Sequence, residues 1–156
     1  MILVASVMHT GTLFTIKRIL PDYDVEQVHF TDKHINRMID RVKGCKHVII
    51  PLRHPARCLE AFKRRSKEYS YFTEQWDNML NMAGDMSPYY IHIDDIDRRD
   101  DDIKRLCVRT GGDIDWTPSI HAGMKTHTYD LEITDDMVKE IPKRYIDFYE
   151  ADKYEQ

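Results

Sequence analysis

The segment that most restricts this chain is Ile2-Leu3-Val4-Ala5-Ser6-Val7, a short continuous run of mostly aliphatic residues that breaks at Met8-His9-Thr10-Gly11-Thr12. A strand that is apolar on both faces has to be covered on both, which is the pattern of a central strand in a parallel sheet. The run is too short to span a bilayer and has no basic flank of the secretory-leader kind, so it is expected to be structural. Beyond the break, Leu13, Phe14, Ile16, Ile19 and Leu20 predict a helix that Pro21 stops. The opening unit is therefore strand, glycine-containing loop, helix.

The pattern then repeats. Val25 to Phe30 predicts a second strand, and Ile35, Met38, Ile39 and Val42 keep helical spacing up to Gly44. His47 to Leu52 predicts a third strand, with Pro51 suited to its end, and a helix follows from Pro55 to the basic segment Lys63-Arg64-Arg65. Phe72, Trp76, Met79, Leu80 and Ala83 form an apolar stripe on a helix ending near Gly84. Tyr89 to Ile93 predicts a fourth strand ending at Asp94-Asp95, and Arg99 to Arg109 a helix closed by Gly111-Gly112. Ile114 to Thr128, containing Trp116, Pro118, His121, Gly123, Lys125 and His127, has no period and reads as an ordered loop. Asp135 to Tyr149 returns to helical spacing, with a kink or a fresh start at Pro142. Strands alternating with helices predict an α/β three-layer sandwich with a mostly parallel central sheet and helices on both faces. One domain over 1–156 is expected, ending in a loop and helix at 113–156, without internal repeats.

Composition narrows the function. Lys plus Arg number 23 against 27 Asp plus Glu, a formal charge of −4, so nucleic acid and membrane surfaces are poor partners unless a local basic patch exists. Cys45, Cys58 and Cys107 are odd in number and widely spaced, which predicts buried thiols in a reducing cytoplasm rather than disulfides or a zinc site, and no metal is expected.

A parallel strand feeding a glycine-containing turn and then a helix directs backbone N–H groups and the positive end of a helix dipole at one spot, which suits a phosphate or sulfate. Gly11 would let the backbone approach the anion, and the Thr10 and Thr12 hydroxyls are candidate donors to its oxygens. The loop lacks the lysine of a Walker A sequence, since Thr12 follows Gly11, so ordinary ATPase or GTPase chemistry is disfavoured. Leu52-Arg53-His54-Pro55 sets an arginine at the carboxyl edge of the sheet, positioned for a bidentate grip on a second phosphate.

With these two segments in order on matching elements, roughly residues 2–112 resemble the sulfotransferase family. Val7-Met8-His9-Thr10-Gly11-Thr12-Leu13-Phe14 is similar to the family's 5′-phosphosulfate loop, and Ile49-Ile50-Pro51-Leu52-Arg53-His54-Pro55 to its 3′-phosphate motif. The resemblance implies a P-loop-like fold that binds 3′-phosphoadenosine 5′-phosphosulfate and passes the sulfuryl group to a hydroxyl or amine of a small-molecule or glycan acceptor. It implies that Thr10, Gly11 and Thr12 hold the 5′-phosphosulfate and Arg53 the 3′-phosphate. His9 falls where the family has a lysine or arginine that stabilises the leaving oxygen, and His29 where one branch carries a catalytic histidine. Glu26 and Asp32 are weaker candidates for the base. Ala61 stands where the family has a serine on the 3′-phosphate, a departure that Arg57 or Arg64 would have to offset.

Two other readings stay open: a P-loop-type kinase, and a degenerate domain that binds a nucleotide or protein without turnover. The chain is short for the family, so either the acceptor is small or a second copy of the chain completes the pocket. Asp94, Asp95, Asp97 and Asp100-Asp101-Asp102 read as a solvated acidic segment at a helix N-terminus. His121, Lys125 and His127 are candidates for a late phosphate-contacting loop, and Lys63-Arg64-Arg65 reads as an exposed helix end.

Overall fold

A computed structural model describes residues 1–115 and 131–151. Four strands, β1 (Ile2–Ser6), β2 (Val25–His29), β3 (His47–Leu52) and β4 (Tyr89–His92), form one sheet in the order β2-β1-β3-β4. All pairings are parallel, with Ser6 opposite His29 across β1 and β2, and Val4 opposite Ile49 across β1 and β3. Every residue of β1 is buried, as its two-sided apolar pattern requires.

Helices cover both faces. On one, α2 (Ile35–Gly44), α3 (Pro55–Arg64), α4 (Tyr69–Met86) and α7 (Lys143–Glu150) pack over Leu3, Ala5, Val48, Ile50 and Leu52, with Trp76, Phe72, Phe62 and Tyr145 at the centre. On the other, the first helical segment and α5 (Ile96–Arg109) pack Ile19, Leu20, Ile103 and Leu106 over Ile2, Val4, Ile49 and Ile91. Each fully buried large side chain contributes about 1.5–3 kcal/mol through desolvation. The observed architecture is thus a parallel sheet between two helical layers. Among the described residues no helix is long and apolar enough to cross a membrane.

Three local differences from the sequence pattern stand out, and the choice it left open at Pro142 is resolved. The segment after Gly11 is a short α1 (Thr12–Phe14) that widens into a π-helical stretch, Thr15–Ile19, closed by Leu20 N–H on Thr15 O at 3.0 Å. The Thr15 hydroxyl also donates to Gly11 O at 2.9 Å, and the wider turn buries both Thr15 and Ile19. Helix α5 starts three positions before Arg99 because the Asp95 side chain accepts Arg98 N–H as an N-cap. Pro142 separates α6 (Asp135–Lys139) from α7 as a fresh start, because it caps the second helix rather than continuing the first. Ile39, although on the α2 apolar stripe, is 45% exposed, and Met38 carries the burial.

Candidate functional site

Strand β1 connects to β2 on one side, and the chain then crosses to β3 on the other, so the order reverses between β1 and β3. The helices that follow these two strands lie on opposite faces, which opens a crevice beyond their carboxyl ends, the usual ligand position in open α/β sheets. The 7–12 loop and Arg53 both lie at that point.

The loop turns sharply. His9 (φ 64°) and Gly11 (φ 90°) are both left-handed. A Cβ on Gly11 would fall 2.8 Å from Ile93 Cγ2, so the glycine is required by close approach as well as by conformation. Four groups outside or inside the loop fix its shape. Met8 N–H donates to Gln75 Oε1 at 2.9 Å, and the Cys58 thiol, pushed up to about 12 by burial, reaches Met8 O at 3.3 Å. The Thr10 hydroxyl donates to Val7 O at 2.6 Å, and Arg53 Nη1 lies 3.5 Å from His9 O. Among the described residues, the N–H groups of His9, Gly11 and Thr12 meet no acceptor.

Thr10 and Thr12 therefore differ. Both are buried, but Thr10 spends its hydrogen inside the turn, whereas Thr12 Oγ1 lies 2.7 Å from Ser6 Oγ. Ser6 Oγ is in turn 3.1 Å from His29 Nδ1, with Ser6 O at 3.3 Å from the same nitrogen. This joins the loop to the end of β2.

The electrostatics of the loop are positive although the chain is acidic. His9 has its pKa lowered to about 4 by burial and then by the charges of Arg65, Lys67, His29 and Arg53. It is neutral near pH 7 and offers the loop an N–H rather than a fixed charge. Its Nε2 is buried and meets no partner among the described residues, and the ring packs edge-on against Phe62. His29 also has its pKa lowered, chiefly by burial, with Ser6 O opposing the shift. Burial thus favours the uncharged ring, whose Nδ1 faces Ser6.

The weaker base candidates are committed elsewhere. Glu26 accepts from Arg37 and Arg41 at 3.0 and 2.8 Å, bonds that hold its carboxyl below the usual range. Asp32 accepts from Asn78 at 2.8 Å in the short turn before α2. Ala61 is buried on α3. Arg57 cannot stand in for the missing hydroxyl because it grips Asp94 at 2.7 Å and Leu131 O at 2.9 Å. Lys63 pairs with Glu140 and Glu60, away from the loop.

Part of the acidic run is buried rather than solvated. Asp94, with no side-chain exposure, holds Arg57, the His54 N–H at 3.0 Å and the Tyr149 hydroxyl at 2.7 Å. Asp102 meets His92 Nδ1 at 2.7 Å. Beside the loop, a cavity of about 630 Å³ is lined by His54, Arg57, Asp94, Asp95, Arg99 and Tyr149, and Ile93 forms its wall toward Gly11. Trp116, Pro118, His121, Gly123, Lys125 and His127 lie outside the described residues.

Two residues of this site escape the sequence patterns. Ser6 is hidden in the apolar run, and Gln75 sits one place before Trp76 on the buried side of α4. A glutamine at a core position of an apolar stripe is the signal that a backbone group needs a partner there. Compared with models of known families, with curated proteins and with solved structures, the chain finds no match.

Proposed function

We propose that this chain is a small sulfotransferase-like protein with a P-loop-like anion cradle, transferring a sulfuryl group from 3′-phosphoadenosine 5′-phosphosulfate to a hydroxyl or amine. The observation that carries the reading is that, at the β1/β3 crevice, loop N–H groups that meet no acceptor among the described residues stand beside Arg53, with Lys67 reaching Met8 Sδ at 3.3 Å. Such a site fits a polyanion: several oriented donors and nearby cations replace its water.

In this reading each part of such a ligand takes a position along the carboxyl edge of the sheet. From β2 to β4 the carboxyl edge presents His29, the 9–12 loop, Arg53 and then the cavity. The donor supplies an activated sulfuryl group at the loop. The loop N–H groups and Thr12 orient its 5′ end, and Arg53 meets the 3′-phosphate. The cavity, with exposed Asp95 as an acceptor, suits the hydroxyl and amino donors of a nucleoside. His29, on the β2 side, takes the proton of the acceptor as the sulfuryl group is captured. His9 donates an N–H to the leaving oxygen. A neutral donor there provides less stabilisation than a fixed cation, so the flanking Arg53, Arg65 and Lys67 carry the electrostatic contribution.

Calorimetric titration with 3′-phosphoadenosine 5′-phosphate, beside ATP with magnesium, tests this. Preference for the 3′-phosphorylated nucleotide, lost in Arg53→Ala, is expected. Preference for ATP with magnesium would move the site to kinase chemistry. Equal losses for 3′-phosphorylated and dephosphorylated ligands on Arg53→Ala would remove Arg53 from its role.

A further inference from the structure

We infer that Ser6 couples occupancy of the 9–12 loop to the tautomer of His29, so that an anion on Thr12 leaves the outer nitrogen of His29 as a proton acceptor. The inference rests on the loop holding an anion, and on no later step of the proposed reaction.

The coupling follows from counting hydrogens. Thr12 Oγ1, Ser6 Oγ and His29 Nδ1 form a chain at 2.7 and 3.1 Å, with Ser6 and Thr12 both buried. Each hydroxyl owns one hydrogen and the neutral ring owns one, so the chain has two orders. In the first, His29 Nδ1–H donates to Ser6, Ser6 O–H donates to Thr12, and the Thr12 hydrogen points away from the chain. In the second, Thr12 donates to Ser6, Ser6 donates to a bare Nδ1, and the ring carries its hydrogen on Nε2.

An anion at the loop distinguishes the two orders. A sulfate or phosphate oxygen at Thr12 accepts and cannot donate, so it selects the order in which the Thr12 hydrogen is outward. That order draws the ring hydrogen to Nδ1 and leaves Nε2 with its lone pair. The proton count is unchanged: the Ser6 and Thr12 hydroxyls rotate, while the ring releases its Nε2 proton to solvent and takes one from solvent at Nδ1. The resting ring is poised between the orders. Ser6 O, 3.3 Å from Nδ1, favours Nδ1–H, whereas the ordinary preference of a histidine side chain favours Nε2–H. The arrangement assigns Ser6 as a positioning residue: it acts through Thr12 and His29 and touches no ligand.

The test uses the full chain labelled with ¹⁵N, observed by long-range imidazole ¹H–¹⁵N spectra at neutral pH, with His29 assigned by His29→Gln. Titration with 3′-phosphoadenosine 5′-phosphate should move His29 toward the Nδ1–H pattern as the site saturates, with binding followed by calorimetry on the same sample. Ser6→Ala should bind the nucleotide and lose the tautomer shift. Thr12→Val, which breaks the chain at its other end, should lose the shift at nucleotide concentrations that calorimetry shows to saturate that variant, a readout that stands even if Ser6→Ala fails to fold. Saturation of the wild type with His29 unmoved, or a wild-type shift in Ser6→Ala, would overturn the coupling while leaving the anion site intact. Absence of nucleotide binding would remove the anion site, and the coupling with it.

Discussion

Replacing Gly11 by alanine separates two costs that the loop imposes at a single atom. The backbone there is at φ 90°, and a side chain in the left-handed region costs about 1–2 kcal/mol. The added methyl would also lie 2.8 and 2.9 Å from Ile93 Cγ2 and Cγ1, an overpacking that costs about 1–3 kcal/mol. Gly11→Ala is therefore expected to lower stability by about 2–5 kcal/mol, a large share of the 5–15 kcal/mol of an ordinary domain. Ile93→Ala removes both clashing carbons, although it leaves a cavity of its own under a buried side chain. In the double variant the two closest contacts are gone, leaving the backbone cost and a milder approach to the retained Cβ at 3.2 Å. Urea unfolding of the four proteins should thus show a favourable coupling of about 1–3 kcal/mol between the two changes. Additivity within about 0.5 kcal/mol would refute the steric account and leave backbone conformation as the whole reason for the glycine.

Gln75→Leu removes the acceptor of Met8 N–H, a loss of about 1–3 kcal/mol offset in part by removing the buried Nε2; hydrogen exchange at the Met8 amide should quicken relative to β1 amides. Asp94→Ala leaves Arg57 and the Tyr149 hydroxyl without their shared carboxylate and should cost about 3–5 kcal/mol by urea unfolding, with a loss below about 1 kcal/mol counting against the hub. Stability should also fall with pH. His9 takes up a proton near 6.5 when unfolded but only at about 4 when folded, so the unfolded chain binds more protons between those values and stability declines as pH drops through the window. His9→Gln should make that decline shallower, without abolishing it, because His29 and His54 are shifted in the same direction by burial. An unchanged slope would show that His9 is as solvated in the folded chain as in the unfolded one.

The sheet was legible because strands covered on both faces must be apolar at consecutive positions, as β1 and β3 are. Gly11 and Arg53 were legible for a related reason: a left-handed turn and a charge at the end of an apolar strand each break a pattern visibly. The roles within the loop were not. Thr10 and Thr12 look equivalent in sequence, and only the folded turn shows that one hydroxyl faces Val7 O and the other Ser6. Asp94 and Asp102 sit in a charged run that suggests solvent, yet each is drawn inside by a partner, Arg57 or His92, distant in the chain. The early start of α5 depends on which aspartate in a row of several caps it, a choice made by local geometry.

The strand order also governs how the chain must assemble. Ile2 pairs with Val25 and with His47, and Ile49 with Tyr89, so no two paired strands are joined by a tight turn. Each pairing has to close a long loop before its hydrogen bonds compensate for the lost chain entropy, which places refolding in the slow, millisecond-to-second regime of non-local topologies rather than among fast helical domains. During that interval β1 exposes both of its apolar faces and both of its edges. The strand whose carboxyl end later borders the β1/β3 crevice is, until its neighbours arrive, the segment most exposed to intermolecular pairing and to capture by a chaperone.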